Sequence, residues 1–190
     1  MPYTFSILVA TYNRARCLHD TLQSLGNLKC DHRREVVVAN NNSTDDTEAV
    51  VDAMKPTFPV PLRSVFVTAQ GKAAALNAAM QIATGEIFVF TDDDARFPDD
   101  WLLRIGIAFE ALKCDYVGGR VTPLWSAPPP KWFPASPGQM WAVLAVMDHG
   151  DTVREFGDGI GWPLGVNMAV QRSAFQIVGG WPCKIQKSEF

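Results

Sequence analysis

The chain has 190 residues, 17 Lys plus Arg against 20 Asp plus Glu, a net charge of -3 and 47% hydrophobic residues, as expected for one domain with a sizeable core. Only 19% of residues are charged and they are scattered, which excludes both the basic stripe that binds a phosphate backbone and the composition of a disordered tail. Cys17, Cys30, Cys114 and Cys183 form no CxxC pair, so neither a zinc knuckle nor a dense disulfide framework is expected.

Residues 5–10 (FSILVA), 35–39 (EVVVA), 62–68 (LRSVFVT), 86–91 (EIFVFT) and 116–121 read as strands, rich in β-branched and aromatic residues. Three are nearly continuously apolar, the pattern of strands covered on both faces of a parallel sheet. Helices fill the gaps. Leu18, Leu22 and Leu25 share a face; Val50, Ala53 and Met54 follow Ser43-Thr44-Asp45-Asp46, which resembles a capping box, and stop before Pro56. Leu76, Ala79, Met80 and Ala83 repeat at helical spacing up to Gly85, read as a C-cap. Pro98, Asp99 and Asp100 open a helix whose face is Leu102, Ile105, Phe109 and Leu112.

This alternation predicts right-handed βαβ crossovers and a doubly wound, mostly parallel α/β sheet with helices on both faces. After Val121 the texture changes to prolines interleaved with Trp125, Trp132 and Phe133, whose rings either stack sugars or cover the sheet edge. A short helix over 139–147, a Gly-rich stretch over 157–165, a strand over 166–170 and a helix over 173–178 complete the expectation. No linker divides the chain. No run approaches the roughly 20 apolar residues of a membrane-spanning helix, and no leader is legible, so a cytoplasmic domain is expected, free or peripheral to the membrane.

In open parallel sheets, ligands bind outside the carboxyl ends of the strands. Four polar clusters fall there: Thr11-Tyr12-Asn13-Arg14, Asn40-Asn41-Asn42-Ser43, Gln70-Gly71-Lys72 and Asp92-Asp93-Asp94. Three adjacent carboxylates at a strand end need a cation or several donors, and a hard divalent ion, Mg²⁺ or Mn²⁺, suits one or two carboxylates plus the oxygens of a diphosphate. The alternative is an acidic turn leading into the next helix. Gly71-Lys72 offers N–H groups and an ammonium to phosphate, and Asn77 lies either in the pocket or on a solvated face. His149 is either an acid-base or metal group or an ordinary loop histidine.

Four stretches, SILVATYNR, VVVANNNSTDDT, GKAAALNAAMQIATGEIFVFTDDD and PLGVNMAVQRSAFQIVGGW, together resemble glycosyltransferase family 2, the inverting nucleotide-sugar transferases of GT-A fold. The resemblance implies that residues 1–121 bind the donor and 122–190 form the acceptor side, with sequence continuing beyond 190 in the family. It implies that Thr11 and Tyr12 flank the nucleobase, the position of Asn40 reads its edge, Asp92 touches the ribose and Asp94 binds the metal. Asn13, Arg14, Asn42, Gly71, Lys72, Asn77 and Asp93 complete the expected donor pocket. Two departures stand out: Asn40 occupies a position that is usually Asp, and Glu189 matches the Glu of a Glu-Asp pair whose Asp, the family's base, does not follow. Glu189 is therefore the candidate catalytic carboxylate. The processive QxxRW motif is absent.

The implied activity is metal-dependent transfer of a sugar from a nucleotide diphosphate sugar, of UDP type, to a carbohydrate or lipid-linked acceptor in polysaccharide biosynthesis. A binding module lacking its base is the second reading. A nucleotidyltransferase is a third, weakened by the lack of a glycine-rich, basic N-terminal signature.

Overall fold

A computed structural model describes residues 3–134, 141, 144–157 and 161–182. Strands β1 (Phe5–Thr11), β2 (Arg34–Asn40), β3 (Leu62–Phe66), β4 (Ile87–Asp92), β5 (Tyr116–Gly118) and β6 (Met168–Gln171) form one sheet in the order β3-β2-β1-β4-β6-β5. β1 pairs in parallel with both β2 and β4, and β2 with β3. β6 runs antiparallel between β4 and β5, so β5 reaches β4 only through it. The sheet is thus mostly parallel, as expected, but its last crossover is interrupted by a strand that enters from far along the chain.

Among the described residues five helices pack on the sheet: α1 (Ala15–Gly26), α2 (Thr47–Met54), α3 (Lys72–Ile82), α4 (Trp101–Leu112) and α5 (Arg172–Val178). Alternation along each strand sorts the core into two layers. Phe5, Ile7 and Val9 of β1 face a core shared with Leu18, Leu22 and Leu25 of α1, Val51 of α2 and Leu102, Ile105 and Phe109 of α4. Leu8 faces the opposite layer with Val37, Phe88, Phe90 and Ala75, Leu76, Ala79 and Met80 of α3, while Phe175 of α5 packs on its margin. Each fully buried Leu or Phe contributes roughly 1.5–3 kcal/mol of transfer free energy, so this double layer dominates stability. The crossover from β3 to β4 through α3 changes faces, which makes the gap between β1 and β4 the point where the strand order reverses.

Several local features differ from expectation for identifiable reasons. Gly85 is no left-handed cap: α3 ends at extended Ala83, and a Cβ on Gly85 would lie 2.5 Å from Ser6 N and 2.6 Å from Phe5 C. Close approach to β1 demands glycine there. The capping box at α2 is also absent, because Ser43 Oγ accepts from Asn13 N–H at 2.9 Å and the capping carboxylate is Asp45, which accepts from Thr47 N–H at 3.1 Å. Of the helix expected over 139–147, residues 139, 140, 142 and 143 lie outside the described residues, and its last residue, Met147, forms an antiparallel bridge with Val121. Among the described residues of the proline-rich segment the rings pack on one another, Trp125 and Trp141 each 5.3 Å from Phe133, and Trp132 is 72% exposed. No described helix is long and apolar enough to cross a membrane.

At the amino-terminal edge, Glu35 is buried yet satisfied by the Ser6 hydroxyl at 2.7 Å, Thr84 N–H at 2.6 Å, the Thr84 hydroxyl at 2.8 Å and Arg63 at 3.2 Å. Burial pushes its carboxyl up, but these donors outweigh burial and hold it below the ordinary glutamate range. The network ties β1, β2, β3 and the end of α3 together on the side away from the polar clusters.

Candidate functional site

The four clusters do meet along the carboxyl edge of β1–β4. Their loops are built on positive-φ residues: Asn13 at 51°, Asn42 at 62° and Gly71 at 124°. Asparagine tolerates the left-handed region because its short amide bonds locally, whereas the Gly71 conformation strains any L side chain. The Asn13 Oδ1 accepts from Thr44 N–H at 2.7 Å and Asp45 N–H at 3.3 Å, and Asp45 in turn accepts from Ala15 N–H at 3.1 Å. The second loop therefore caps α1, which has no side-chain cap of its own. Asn40 is buried, with Oδ1 accepting from Ser43 N–H at 3.0 Å.

The acidic triplet is a turn at the end of β4, well before α4 begins at Trp101, and its three carboxylates meet different surroundings. Asp93 turns inward, accepting from the Thr11 hydroxyl at 2.7 Å and from Arg14 Nη1 at 3.2 Å. Burial raises its carboxyl above the ordinary aspartate range; Thr11 and Arg14 oppose that shift, and Asp94 and Asp92 add to it. Asp92 pairs with the Lys72 ammonium. Asp94 is 49% exposed and meets Arg14 Nη1 at 3.0 Å. The Arg14 guanidinium, beside Asp93, is held firmly protonated.

Among the described residues no three His, Cys, Asp or Glu side chains converge on one point, so a three-carboxylate cage does not exist. One exposed carboxylate, Asp94, at the carboxyl end of β4 suits a hard divalent ion that takes its other oxygens from a diphosphate and water. The residues fit a metal on those terms. His149 takes no part in a metal cluster, and its Nε2 has no hydrogen-bond partner among the described residues.

Tyr12 is half exposed at the rim. Asn77 exchanges two 2.8 Å hydrogen bonds with the backbone of Trp181, clamping the segment after α5 onto α3. Glu189 lies outside the described residues. A groove of about 560 Å³ between Thr4, His32, Arg33 and Pro59–Pro61 opens at the opposite edge of the sheet and contains none of these side chains.

Two residues support the site in roles the sequence does not assign, Asn41 within its named cluster and Thr21 outside any cluster. Asn41 accepts from Gly71 N–H at 2.8 Å and donates to Ala69 O at 2.6 Å and Val67 O at 3.2 Å, shaping the Gly71-Lys72 loop from the end of β2. Thr21 donates to Asp93 O at 2.8 Å and Ala95 O at 3.1 Å, fixing the acidic turn from inside α1. A threonine three residues after Leu18, on the apolar face of its helix, was the available signal.

The family profile described as Glycosyl transferase family 2 matches residues 6–175. The chain belongs to glycosyltransferase family 2. Among its relatives, the succinoglycan biosynthesis protein ExoM of Rhizobium meliloti is 28% identical over 145 residues, 75% of this chain and 46% of that protein. The mannosyltransferase PcManGT of Pyrobaculum calidifontis, solved with GDP-Man and Mn²⁺, superposes with a TM-score of 0.72 at 27% identity, covering 97% of this chain and 49% of that one. TarS 1–349 of S. aureus with UDP gives a TM-score of 0.74 at 18% identity over 94% of this chain and 50% of that one, a likeness of fold. The chain thus spans about half the length of these relatives, and its GT-A fold is that of the family.

Proposed function

We propose that this domain binds a nucleotide diphosphate sugar, of UDP type, over the β1/β4 gap with Mg²⁺ or Mn²⁺ at Asp94, and transfers the sugar with inversion to an acceptor hydroxyl. The observation that carries the reading is the unequal burial within the acidic turn: Asp93 is locked inward while Asp94 stands exposed beside Arg14, above the strand-order reversal. When bound, the metal supplies Lewis-acid neutralisation of charge on the departing diphosphate. Lys72, Arg14 and the Gly71 loop supply cationic and N–H contacts to phosphate. Tyr12 offers a ring at the rim, and Asn40, whose amide both donates and accepts, reads the nucleobase edge. The Mn²⁺ and GDP-Man bound by PcManGT, and the UDP bound by TarS, support a nucleotide-sugar donor. A carbohydrate or lipid-linked acceptor and a cytoplasmic setting complete the proposal.

A second reading, a donor-binding module whose base lies elsewhere, has one observation in its favour. Asp148 and Asp151, described carboxylates of the acceptor side, each give an oxygen to Arg120, at 2.9 and 2.8 Å. Glu189 is the assigned base in the first reading.

Calorimetry with UDP, dTDP and GDP, with and without Mn²⁺, tests the donor. Metal-dependent UDP binding that D94A abolishes, with the fold intact, is the expected result; unchanged Mn²⁺ dependence in D94A overturns the metal assignment, and a clear GDP preference overturns the base assignment. Sugar transfer that E189Q leaves intact removes Glu189 as the base.

A further inference from the structure

One Arg14 nitrogen bridges two carboxylates of unequal freedom. Nη1 lies 3.2 Å from Asp93 Oδ1 and 3.0 Å from Asp94 Oδ2. Asp93 is held independently by Thr11 at 2.7 Å and has a side chain only 6% exposed, so it stays in place whether or not Arg14 does. Asp94 and Arg14 are both about half exposed. The Arg14 backbone is anchored, its carbonyl accepting from Leu18 N–H at 2.9 Å in the first turn of α1, while the guanidinium lies at the surface. The base of the side chain is fixed and its head can swing.

We propose that Arg14 is an exchangeable internal cation: it competes with the divalent ion for Asp94 and is released by the donor's diphosphate, so that ion and nucleotide bind as a pair. The inference rests on the metal assignment to Asp94. An ion arriving alone meets a carboxylate oxygen already neutralised by a guanidinium, and places two like charges against one carboxylate. A diphosphate changes the balance because its oxygens accept the planar guanidinium bidentately, a geometry a single Asp94 oxygen does not provide. Arg14 then moves its hydrogen bonds from Asp94 to phosphate, and Asp94 is freed for the ion. By linkage each ligand tightens the other by the same factor.

The test uses Mn²⁺ alone, UDP alone and the two together, read by electron paramagnetic resonance for free Mn²⁺ and by calorimetry for UDP. In R14Q, Mn²⁺ alone is expected to bind about three- to tenfold tighter, UDP alone weaker, and the coupling factor to shrink toward one. R14K, which keeps a cation, is expected to keep the wild-type order. Unchanged or weaker binding of Mn²⁺ alone in R14Q overturns the proposal. D94N in the R14Q background separates the two readings: if the tightened Mn²⁺ binding survives D94N, the metal assignment itself fails. Should R14Q not fold because Asp93 is left buried without its partner, D93N/R14Q removes both charges and carries the same measurement.

Discussion

The hydroxyl of Thr11, the last residue of β1, donates to Asp93 Oδ2 at 2.7 Å just past the end of β4, bridging the gap at which the strand order reverses. The bond holds a buried carboxylate ionised against desolvation, so removing it has a pH signature. T11V keeps the shape and deletes the donor. It is expected to lower stability by about 2 kcal/mol at neutral pH. Asp93 already has a raised folded pKa, and T11V raises it further. The loss is therefore full above that folded pKa and fades as pH falls through it and the buried charge disappears. Urea unfolding at neutral and mildly acidic pH checks this, and an equal loss at both would show that Asp93 is not the cause.

Glu35 carries the opposite sign. Its donors hold the folded carboxyl below its ordinary range, so its contribution is complete above the unfolded value and is lost as pH falls through the folded one. E35Q is expected to remove about 2 kcal/mol at neutral pH, with the difference from wild type closing in acid. Thermal melts across that range measure it; a gap that widened in acid would contradict the assignment.

For Gly85, a methyl group meets the backbone of β1 rather than a side chain that could rotate away. G85A should lower stability by about 3 kcal/mol through overpacking. A loss under about 1 kcal/mol in chemical denaturation would mean that β1 shifts aside without strain.

N41A should leave three backbone groups of the Gly71 loop without their side-chain partner. The expected result is faster amide exchange at Gly71 and about tenfold weaker nucleotide binding, equal to about 1.4 kcal/mol, with α3 itself intact. Wild-type exchange at Gly71 would show that the loop holds its own shape.

The apolar runs of β1, β2 and β4 and the Leu18, Leu22, Leu25 face of α1 were legible because burial on both faces of a strand, or on one helical face, leaves a local pattern. The loops at the carboxyl edge were legible for the same reason, as interruptions of that pattern. Long-range choices were not. Four-residue β6 has no periodicity that specifies an antiparallel place between β4 and β5. The partition of Asp92, Asp93 and Asp94 into a Lys72 partner, a buried anchor and an exposed carboxylate depends on which side chains of α1 and α3 arrive opposite them. Likewise Gly85 reads as a helix stop until the neighbouring strand is placed against it, and Asn41 looks like its neighbours Asn40 and Asn42 until the Gly71 loop lies over it.

The late arrival of β6 has a consequence during synthesis. By the time residue 112 has emerged, β1–β4 and their helices hold everything needed for a four-strand parallel unit, yet the outer edge of β4 stays uncovered until residues 168–171 follow. Throughout that interval the amide row from Ile87 to Phe90 is an open edge, able to recruit a strand from another nascent chain. Pulse-labelled hydrogen exchange during refolding should show Ile7–Val9 protected before Met168–Gln171. Simultaneous protection would mean that the sheet closes in one step. In the ordered case, the open edge of β4, rather than any part of the finished core, is where this domain is exposed to association.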